Sequence, residues 1–247
     1  MPDSLVFISG ASSGIGLALA KRCPLPHPRI LDLSRRGAPS SAGSPAIHVA
    51  ADLATPEGWE VADGFFAREI AAFSGSRVVF FHNAGTLTPI GFAGEVDAGA
   101  YRTNVLLNSA APQVLGDAFL RAARATPARV DVVMLSSGAA RNVYLGWSGY
   151  CAGKAAVDHW VRTVGAELAA RRSQCRVVAV APGIVATPMQ AEIRATAARD
   201  FPEVGRFRGY FESGALRSPD DVARDLWAVV ERDSSSLPNG SVIDLRD

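Results

Sequence analysis

This sequence contains few lysines and carries almost no net charge. Its 247 residues carry 25 lysines and arginines against 24 acidic residues, for a formal net charge of +1, and the only lysines are Lys21 and Lys154. The charges are dispersed, and no basic stripe is present that would follow a phosphate backbone. We therefore do not expect nucleic acid as a partner, and we expect a small molecule instead.

Metal-ligand patterns and membrane-spanning runs are also missing. The three cysteines and four histidines are scattered without the spacing of metal ligands. An odd number of cysteines fits a reducing compartment better than a disulfide framework. The sequence begins almost directly with an apolar run, without a basic-then-apolar leader, and no run is long enough to cross a bilayer. We expect a cytoplasmic protein with no metal site and no membrane contact.

Seven short apolar runs recur along the chain with helical stretches between them. They cover residues 5–8, 30–33, 46–50, 78–81, 130–135, 177–180 and 241–245. Continuous apolar runs are typical of parallel strands that are buried on both faces. The sequence therefore predicts an α/β fold, with one doubly wound, seven-stranded parallel sheet and helices on both of its faces.

The length of the chain fits one large α/β domain over residues 1–247. Residues 188–217 interrupt the alternating pattern with a long irregular stretch that is rich in aromatic side chains. An insertion at this place is expected to close over a substrate as a lid.

A tyrosine stands four residues before one of the two lysines, in Gly146-Trp147-Ser148-Gly149-Tyr150-Cys151-Ala152-Gly153-Lys154. On a helix, Tyr150 and Lys154 would lie on one face, one turn apart. An ammonium near a phenol favours the ionised phenol, so the pair predicts a tyrosine that exchanges protons near neutral pH. A plainer interpretation is an exposed helix pair worth only about 0.3 kcal/mol.

The first apolar run leads into a glycine turn, Ser9-Gly10-Ala11-Ser12-Ser13-Gly14-Ile15-Gly16. Such a turn between a strand and a helix lets the backbone approach a pyrophosphate and aims helix N-terminal amides at it. The predicted dinucleotide contacts are Gly10, Ser12, Ser13, Gly14, Ile15 and Gly16. A tight strand-to-helix connection needs small residues whether or not it binds a ligand, so the turn alone is weak support.

Two arginines, Arg35 and Arg36, follow the second predicted strand. Adenosine cofactors place the ribose 2′ position there, where an acid accepts a 2′-hydroxyl and a base pairs with a 2′-phosphate. The arginines therefore favour NADPH. Asp32 complicates this prediction, but it lies upstream within the strand, and Ser34 takes the selecting position. The alternative for both arginines is a solvated loop.

Further landmarks follow the later strands in order. They are Asp52-Leu53, Asn83-Ala84-Gly85, Asn104, Ser136-Ser137-Gly138 and Pro182-Gly183-Ile184-Val185-Ala186-Thr187. Together with the glycine turn and the tyrosine-lysine pair, they resemble the short-chain dehydrogenases/reductases over nearly the whole chain. The resemblance implies a Rossmann-type sheet, an NADP-dependent oxidoreductase acting on a CH–OH/C=O couple, and a homodimer or homotetramer.

The resemblance also implies roles for individual residues. The catalytic tetrad would be Asn104, Ser137, Tyr150 and Lys154. Ser137 would polarise the substrate carbonyl, Tyr150 would donate a proton, and Lys154 would lower the pKa of Tyr150 and pass protons through a water held by Asn104. Ser137 stands at the family's spacing before Tyr150, and Ser136 is its rival. The implied cofactor contacts after the glycine turn are Asp52, Leu53, Asn83, Ala84, Gly85, Tyr150, Lys154, Pro182, Gly183, Val185 and Thr187.

The segment 146–158 resembles more narrowly the sepiapterin reductase type within this family, as do Thr187-Pro188-Met189-Gln190 and the tail 240–247. In that type an aspartate anchors the pterin, and Asp244 is the matching position, with a physical rationale because a carboxylate pairs with an aminopyrimidine edge. The alternative is a solvated acid at a strand end, with Asp247 as a competing candidate. The expected substrate contacts are Ser137, Trp147, Tyr150, Met189 and Asp244.

The favoured function is an NADPH-dependent carbonyl reductase that transfers a hydride to one ketone of a vicinal dicarbonyl. The substrate would be a sepiapterin-like pterin or a benzil-like aryl diketone, and Trp147 could stack on either or belong to the core. One alternative is an NAD(P)-dependent alcohol dehydrogenase of another substrate class. Another is a nucleotide-sensing regulator, which the intact tetrad disfavours. An apolar helix stripe, Val157, Trp160, Val161 and Val164, fits either a subunit interface or the core.

Overall fold

The computed structural model describes residues 2–233 and 235–246, and all seven predicted strands are present in it. The strands are β1 (Ser4–Ser9), β2 (Pro28–Ser34), β3 (Ile47–Ala50), β4 (Arg77–His82), β5 (Arg129–Leu135), β6 (Cys175–Ala181) and β7 (Val242–Asp244). The helices are α1 (Gly14–Lys21), α2 (Pro56–Ala71), α3 (Ala98–Val105), α4 (Ala111–Ala123), α5 (Ser148–Ala170), α6 (Pro188–Ala195), α7 (Val204–Glu212) and α8 (Pro219–Glu231). A π-helical segment, Leu106–Ala110, joins α3 to α4.

The strands form one parallel sheet in the order β3-β2-β1-β4-β5-β6-β7. The predicted seven-stranded parallel sheet is therefore confirmed. Because β1 lies between β2 and β4, the direction of winding reverses there. The carboxyl ends of β1 and β4 border a crevice, which is where open α/β sheets bind ligands.

Side chains alternate along each strand and build a core on both faces of the sheet. On β1, Leu5 and Phe7 pack with residues of α2, α4 and α5 on one face. Val6 and Ile8 pack with residues of α1 and α8 on the other face. The central strands β1, β4, β5 and β6 read as continuous apolar runs because both of their faces are covered, whereas the edge strand β3 is mostly exposed. Among the described residues, no helix combines the length and apolarity needed to cross a membrane.

The stretch 188–217, which the sequence predicted as irregular, contains two helices, and α6 ends at Ala195. The guanidinium of Arg208 on α7 donates to the carbonyl oxygens of Arg194 at 3.0 Å and Thr196 at 3.3 Å. Carbonyl groups at the end of α6 therefore bond to a side chain of α7, and the chain turns instead of extending the helix.

The four residues of the predicted apolar stripe on α5 have two different environments. Val157 and Val161 are buried against the sheet, as the core interpretation predicted. Trp160 and Val164 are partly exposed and line a groove of about 940 Å³ between α4 and α5. The structure thus leaves only these two stripe residues for a subunit contact.

Close backbone packing joins α5 to the turn before β7. A Cβ atom on Gly165 would lie 2.2 Å from the Cα of Gly240. Neither group is a flexible side-chain end, so any larger residue at 165 must push the turn away from the helix. The position of β7 beside β6 depends on this contact.

We expect Gly165→Ala to lower the free energy of unfolding by about 1–3 kcal/mol, because the added methyl group overpacks this contact. Urea denaturation would measure the change. Gly64→Ala in α2 is the matched control, since nothing lies within 4 Å of its added Cβ, and it should stabilise by about 0.5–1 kcal/mol. Equal stability of the Gly165→Ala protein and the wild type would contradict the packing described.

Candidate active site

Two cavities meet at the carboxyl ends of the strands. The first, of about 410 Å³, lies over the crevice between β1 and β4. The second, of about 390 Å³, lies between the loops after β5 and β6 and the two lid helices. Residues that line both are Ile15, Ser136, Tyr150, Pro182, Thr187 and Met189. A ligand in the first cavity can therefore touch a ligand in the second beside Tyr150.

The glycine turn forms the floor of the first cavity. Gly10 has a left-handed φ of 71°, and a Cβ on Gly16 would lie 2.2 Å from the carbonyl oxygen of Gly10. The amide of Asn83 donates to that same oxygen at 3.0 Å and to the carbonyl oxygen of Ser9 at 3.2 Å. The predicted residue Asn83 thus ties the turn to the end of β4.

Most of the predicted cofactor contacts line this first cavity. They are Gly10, Ser12, Ser13, Gly14, Ile15, Arg35, Arg36, Asp52, Leu53, Asn83, Ala84, Gly85, Tyr150, Lys154, Pro182 and Thr187. Three do not: Gly16 lies behind the turn, and Gly183 and Val185 are on the wall of the second cavity. Sequence reasoning missed Thr86, Leu107 and Glu192, which belong to none of the motifs, and it had noted Pro188 only within the segment Thr187-Pro188-Met189-Gln190.

The complication over Asp32 is resolved by its hydrogen bonds. Its side chain is buried, accepts from the backbone N–H of Ala11 at 2.8 Å and accepts from the hydroxyl of Ser34 at 2.8 Å. Burial raises the pKa of Asp32, and these two bonds lower it. The carboxylate therefore supports the glycine turn, and Arg35 and Arg36 stand exposed on the wall of the first cavity.

The two rival serines point to different partners. Ser136 donates to the buried carboxylate of Asp158 at 2.5 Å. Ser137 accepts from the N–H of Ala139 at 3.1 Å, and its interaction with the phenol of Tyr150 lowers the pKa of that phenol. The Ser136 hydroxyl is thus taken by Asp158, and that of Ser137 acts on Tyr150; the choice of Ser137 as the catalytic serine stays a prediction.

Burial controls the protonation of the tyrosine-lysine pair. It raises the pKa of Tyr150 to about 12, although the hydrogen bond with Ser137 lowers it. Burial also lowers the pKa of Lys154 to about 8, against the attraction of Asp158. The Lys154 Nζ lies 5.7 Å from the centre of the Tyr150 ring and donates to the carbonyl oxygen of Leu135 at 2.7 Å. The pKa of Tyr150 is thus above its usual value, because desolvation outweighs the interaction with Ser137, and a lowering of this pKa by Lys154 stays a prediction.

Asn104 is buried and lies next to this pair without lining either cavity. Its amide donates to the carbonyl oxygen of Thr88 at 2.9 Å, and its side-chain oxygen accepts from Asn108 at 2.9 Å. A Cβ on Gly149, one residue before Tyr150, would lie 2.9 Å from the Asn104 side-chain oxygen. Asn104 therefore packs the start of α5 against the loop after β4.

Aromatic side chains form one wall of the second cavity. Trp147 stacks on Phe201, with ring centres 4.4 Å apart and an interplanar angle of 6°. Phe207 and Tyr144 pack against Trp147 at 5.4 Å and 4.9 Å. Trp147 is 5% exposed, so it is a core residue that also lines the cavity. Sequence reasoning had noted the lid aromatics but missed Tyr144.

The structure does not place Asp244 on the wall of this cavity. Both carboxylate oxygens bond to Arg246, at 2.8 Å from Nε and 2.6 Å from Nη2, and Arg246 lines the cavity in its place. The hydrogen bonds with Arg246 lower the pKa of Asp244. Asp247, the competing candidate, lies outside the described residues. Met189, an expected substrate contact, lines both cavities.

Fold and site together define an α/β oxidoreductase with a dinucleotide crevice. A family model for short chain dehydrogenases matches residues 4–198, and the chain belongs to that family, whose members use nicotinamide cofactors. It is similar to the benzil reductase ((S)-benzoin forming) of Bacillus subtilis (strain 168), with 33% identity over 243 residues that span 98% of each chain.

The chain is also similar to the sepiapterin reductase of Xenopus laevis, with 34% identity over 224 residues, or 82% of this chain and 80% of that protein. Among solved structures, the short chain dehydrogenase/reductase YIR035C of Saccharomyces cerevisiae superposes with a TM-score of 0.82 at 24% identity. That match covers 99% of this chain and 96% of the other, and it concerns the fold.

The first cavity has the features that a nicotinamide dinucleotide needs. Its floor is a turn in which Gly10 and Gly14 both have a left-handed φ, and the backbone at the start of α1 is exposed to the cavity, where it can bind a pyrophosphate. Arg35 and Arg36 supply positive charge at one end. Tyr150 and Lys154 lie at the other end, where the second cavity begins.

Replacing each serine by itself tests the roles assigned to them, because one change should affect turnover and the other stability. Ser137→Ala should lower the turnover number by about 100-fold, because one polarising donor is lost. Ser136→Ala should keep most of the turnover but lower the free energy of unfolding by about 1–3 kcal/mol, because Asp158 loses a buried partner. Steady-state rates and urea denaturation on both variants measure this. Loss of turnover in Ser136→Ala alone would reverse the assignment.

Proposed function

We propose that this protein is an NADPH-dependent carbonyl reductase that reduces one ketone of a vicinal dicarbonyl. The position of Tyr150 carries the proposal, since its phenol stands where the two cavities meet. Ser137 adjoins it on the substrate side and Lys154 on the cofactor side. These three side chains surround the place where a carbonyl carbon in the second cavity would face a nicotinamide in the first.

A nicotinamide cofactor bound in the first cavity would supply the hydride. The hydroxyl of Ser137 donates to the carbonyl oxygen and stabilises the negative charge that develops there. Tyr150 then transfers its phenolic proton to that oxygen. Lys154 holds positive charge beside Tyr150 and favours the phenolate that results. The role of Asn104 in this proposal is to position the start of α5, and with it Tyr150, through the contact at Gly149.

The preference for NADPH rests on the adenosine end. Asp32 is tied to the glycine turn and Ser34, so an acid does not face the ribose there. Arg35 and Arg36 are exposed on the cavity and can pair with a 2′-phosphate. An NAD-dependent alcohol dehydrogenase, the second candidate, predicts the opposite charge at this end.

The substrate cavity favours an aryl diketone over a pterin. Its wall is aromatic at Trp147, Phe207 and Tyr144, which suits a flat apolar ring. The carboxylate that would anchor a pterin, Asp244, is already bonded to Arg246. Similarity to a benzil reductase over nearly the whole chain points the same way.

The remaining features of the proposal concern the whole chain. We take residues 1–247 as one domain of this family, with 188–217 as the substrate lid, because α6 and α7 both contribute to the second cavity. A homodimer or homotetramer through the helices around Asn104 and Tyr150 stays a prediction from the family resemblance, and a cytoplasmic location stays a prediction from the sequence.

The pH dependence of reduction should report the ammonium of Lys154. Burial lowers the pKa of Lys154 to about 8 and raises the pKa of Tyr150 to about 12, so the phenol stays protonated across the working range. Reduction should be constant below pH 7 and fall by about tenfold per pH unit above pH 8, as Lys154 loses its charge. A pH profile of kcat/KM measures this, and a flat profile up to pH 10 would rule out the role of Lys154.

The rates of NADPH and NADH consumption with benzil and with sepiapterin, measured in parallel, test the function. We expect NADPH to be preferred and benzil to be reduced faster than sepiapterin. Tyr150→Phe is the blank, because it lacks the proton donor but should still bind NADPH. Replacing Arg35 and Arg36 by serine should weaken NADPH binding by about 30-fold and leave NADH binding nearly unchanged. Tighter NADH binding in the wild type would favour the alcohol dehydrogenase instead.

A further inference from the structure

The aromatic wall of the second cavity leads away from Tyr150 in a series of ring contacts. The ring of Trp147 lies edge-on to that of Tyr150, with centres 5.7 Å apart, and Phe207 lies 5.4 Å from Trp147. Tyr210 comes next, edge-on to Phe207 at 5.9 Å. A flat aryl group along this wall, with its carbonyl at Tyr150, therefore points its far edge toward Tyr210.

Three polar side chains line the cavity at this distant end, and they are Glu203, Arg206 and Tyr210. Arg206 joins the other two. Its Nε donates to the phenol oxygen of Tyr210 at 2.6 Å, and its Nη1 lies 3.6 Å from Oε2 of Glu203. All three belong to α7 or to the residue directly before it. One guanidinium thus holds an acid and a phenol near each other on the wall.

Both partners of Arg206 keep hydrogen-bonding capacity for a ligand. The oxygen of Tyr210 accepts from Arg206, so its own O–H is left as a donor, and no acceptor for it occurs among the described residues. Glu203 makes no capping bond to α7 with its side chain, and its contact with Arg206 is longer than a hydrogen bond. This end of the cavity therefore offers a neutral donor and a charged acceptor.

We propose that Glu203 and Tyr210 form a phenol-binding subsite of the substrate cavity, and that the substrates include aryl diketones with a para-hydroxyl group. The inference rests on the proposed carbonyl reduction and extends it to a phenolic substrate class. A phenol is both a donor and an acceptor. Its O–H donates to the carboxylate of Glu203, and its oxygen accepts from the hydroxyl of Tyr210. The para position is the point of the ring farthest from the carbonyl, so its hydroxyl falls at this end of the wall.

The aminopyrimidine edge of a pterin fits this end less well. Such an edge presents two parallel donors, which pair with both oxygens of a carboxylate. One oxygen of Glu203 faces Arg206, so a bidentate pair would have to displace that contact. A phenol needs a single oxygen of the acid and leaves the contact with Arg206 in place.

Three symmetrical derivatives of benzil test the subsite, with para-hydroxyl, para-methoxy or para-methyl groups on both rings. Steady-state rates at about pH 6 keep the phenols neutral. Glu203→Gln should raise the KM for the dihydroxy compound by about tenfold, because a charged acceptor becomes a neutral one. It should affect the other two compounds much less, since neither donates to the acid. Equal losses for all three compounds would overturn the proposal.

Tyr210→Phe tests the donor of the subsite separately. The dihydroxy and dimethoxy compounds both accept from the Tyr210 hydroxyl, so the KM of each should rise by about fivefold relative to that of the dimethyl compound. A variant in which the dihydroxy and dimethyl compounds lose equally would show that the hydroxyl of Tyr210 makes no bond to the ligand, and the subsite as described would be wrong.

Glu212→Gln is the matched control for Glu203→Gln. It makes the same change of charge on α7, but Glu212 is exposed and lines neither cavity. The KM for the dihydroxy compound should change by about twofold or less. A loss as large as that of Glu203→Gln would mean that the helix acts through its charge alone and would overturn a direct contact. A loss in Glu203→Gln that is larger for sepiapterin than for the dihydroxy compound would assign the acid to a pterin instead.

Calorimetric titration with para,para′-dihydroxybibenzyl separates this inference from the proposed function. This compound carries both phenols and has no carbonyl to reduce, so binding that Glu203→Gln weakens by about tenfold supports the subsite without any turnover. If no carbonyl compound is reduced, the proposed function fails, and the titration still decides the subsite. If benzil is reduced but Glu203→Gln binds the bibenzyl as tightly as the wild type, only the phenol subsite is wrong.

Discussion

A buried ammonium group fixes α5 against β5, and the candidate site depends on that contact. Lys154 is 5% exposed and donates to the carbonyl oxygen of Leu135, at the end of β5, at 2.7 Å. A buried cation without a partner would cost several kcal/mol, so sliding of the helix along the strand is strongly disfavoured. Tyr150 lies one turn before Lys154, and Ser137 lies just beyond Leu135. The same contact therefore brings Tyr150 to Ser137.

The glycine turn applies a similar constraint at the other end of the site. Gly16 approaches the carbonyl oxygen of Gly10 too closely for a side chain, and Asn83 bonds that oxygen from the next strand. These contacts involve the backbone, so they restrict which residue types can stand at these positions. Such restrictions are visible in a sequence as particular residues at a particular spacing. The strands, the glycine turn and the order of the landmarks could for that reason be predicted from the sequence alone.

The sequence could not decide outcomes that depend on desolvation or on which of two neighbouring groups a side chain bonds. Spacing placed Lys154 near Tyr150, but it could not show that burial would keep the pKa of the phenol high. Spacing also offered Asp244 as a substrate contact, without showing that Arg246, two residues later, would take both of its oxygens. The end of α6 depended on Arg208, a residue of the next helix. None of these outcomes is local in sequence, and each is decided by tertiary packing.

The two cavities differ in whether the backbone or the side chains determine their shape. The first is built from the glycine turn and strand ends, whose geometry allows little variation, and it suits one kind of ligand. The second is built from side chains of α6, α7, the loop after β5 and the tail, which can change without disturbing the sheet. Arg246 illustrates the consequence. Gly183, in the loop after β6, leaves room for this long side chain from the tail. The charged residues of the wall, Glu203, Arg206 and Arg246, all belong to α7 and its start or to the tail, so they can change while the residues around Tyr150 remain the same.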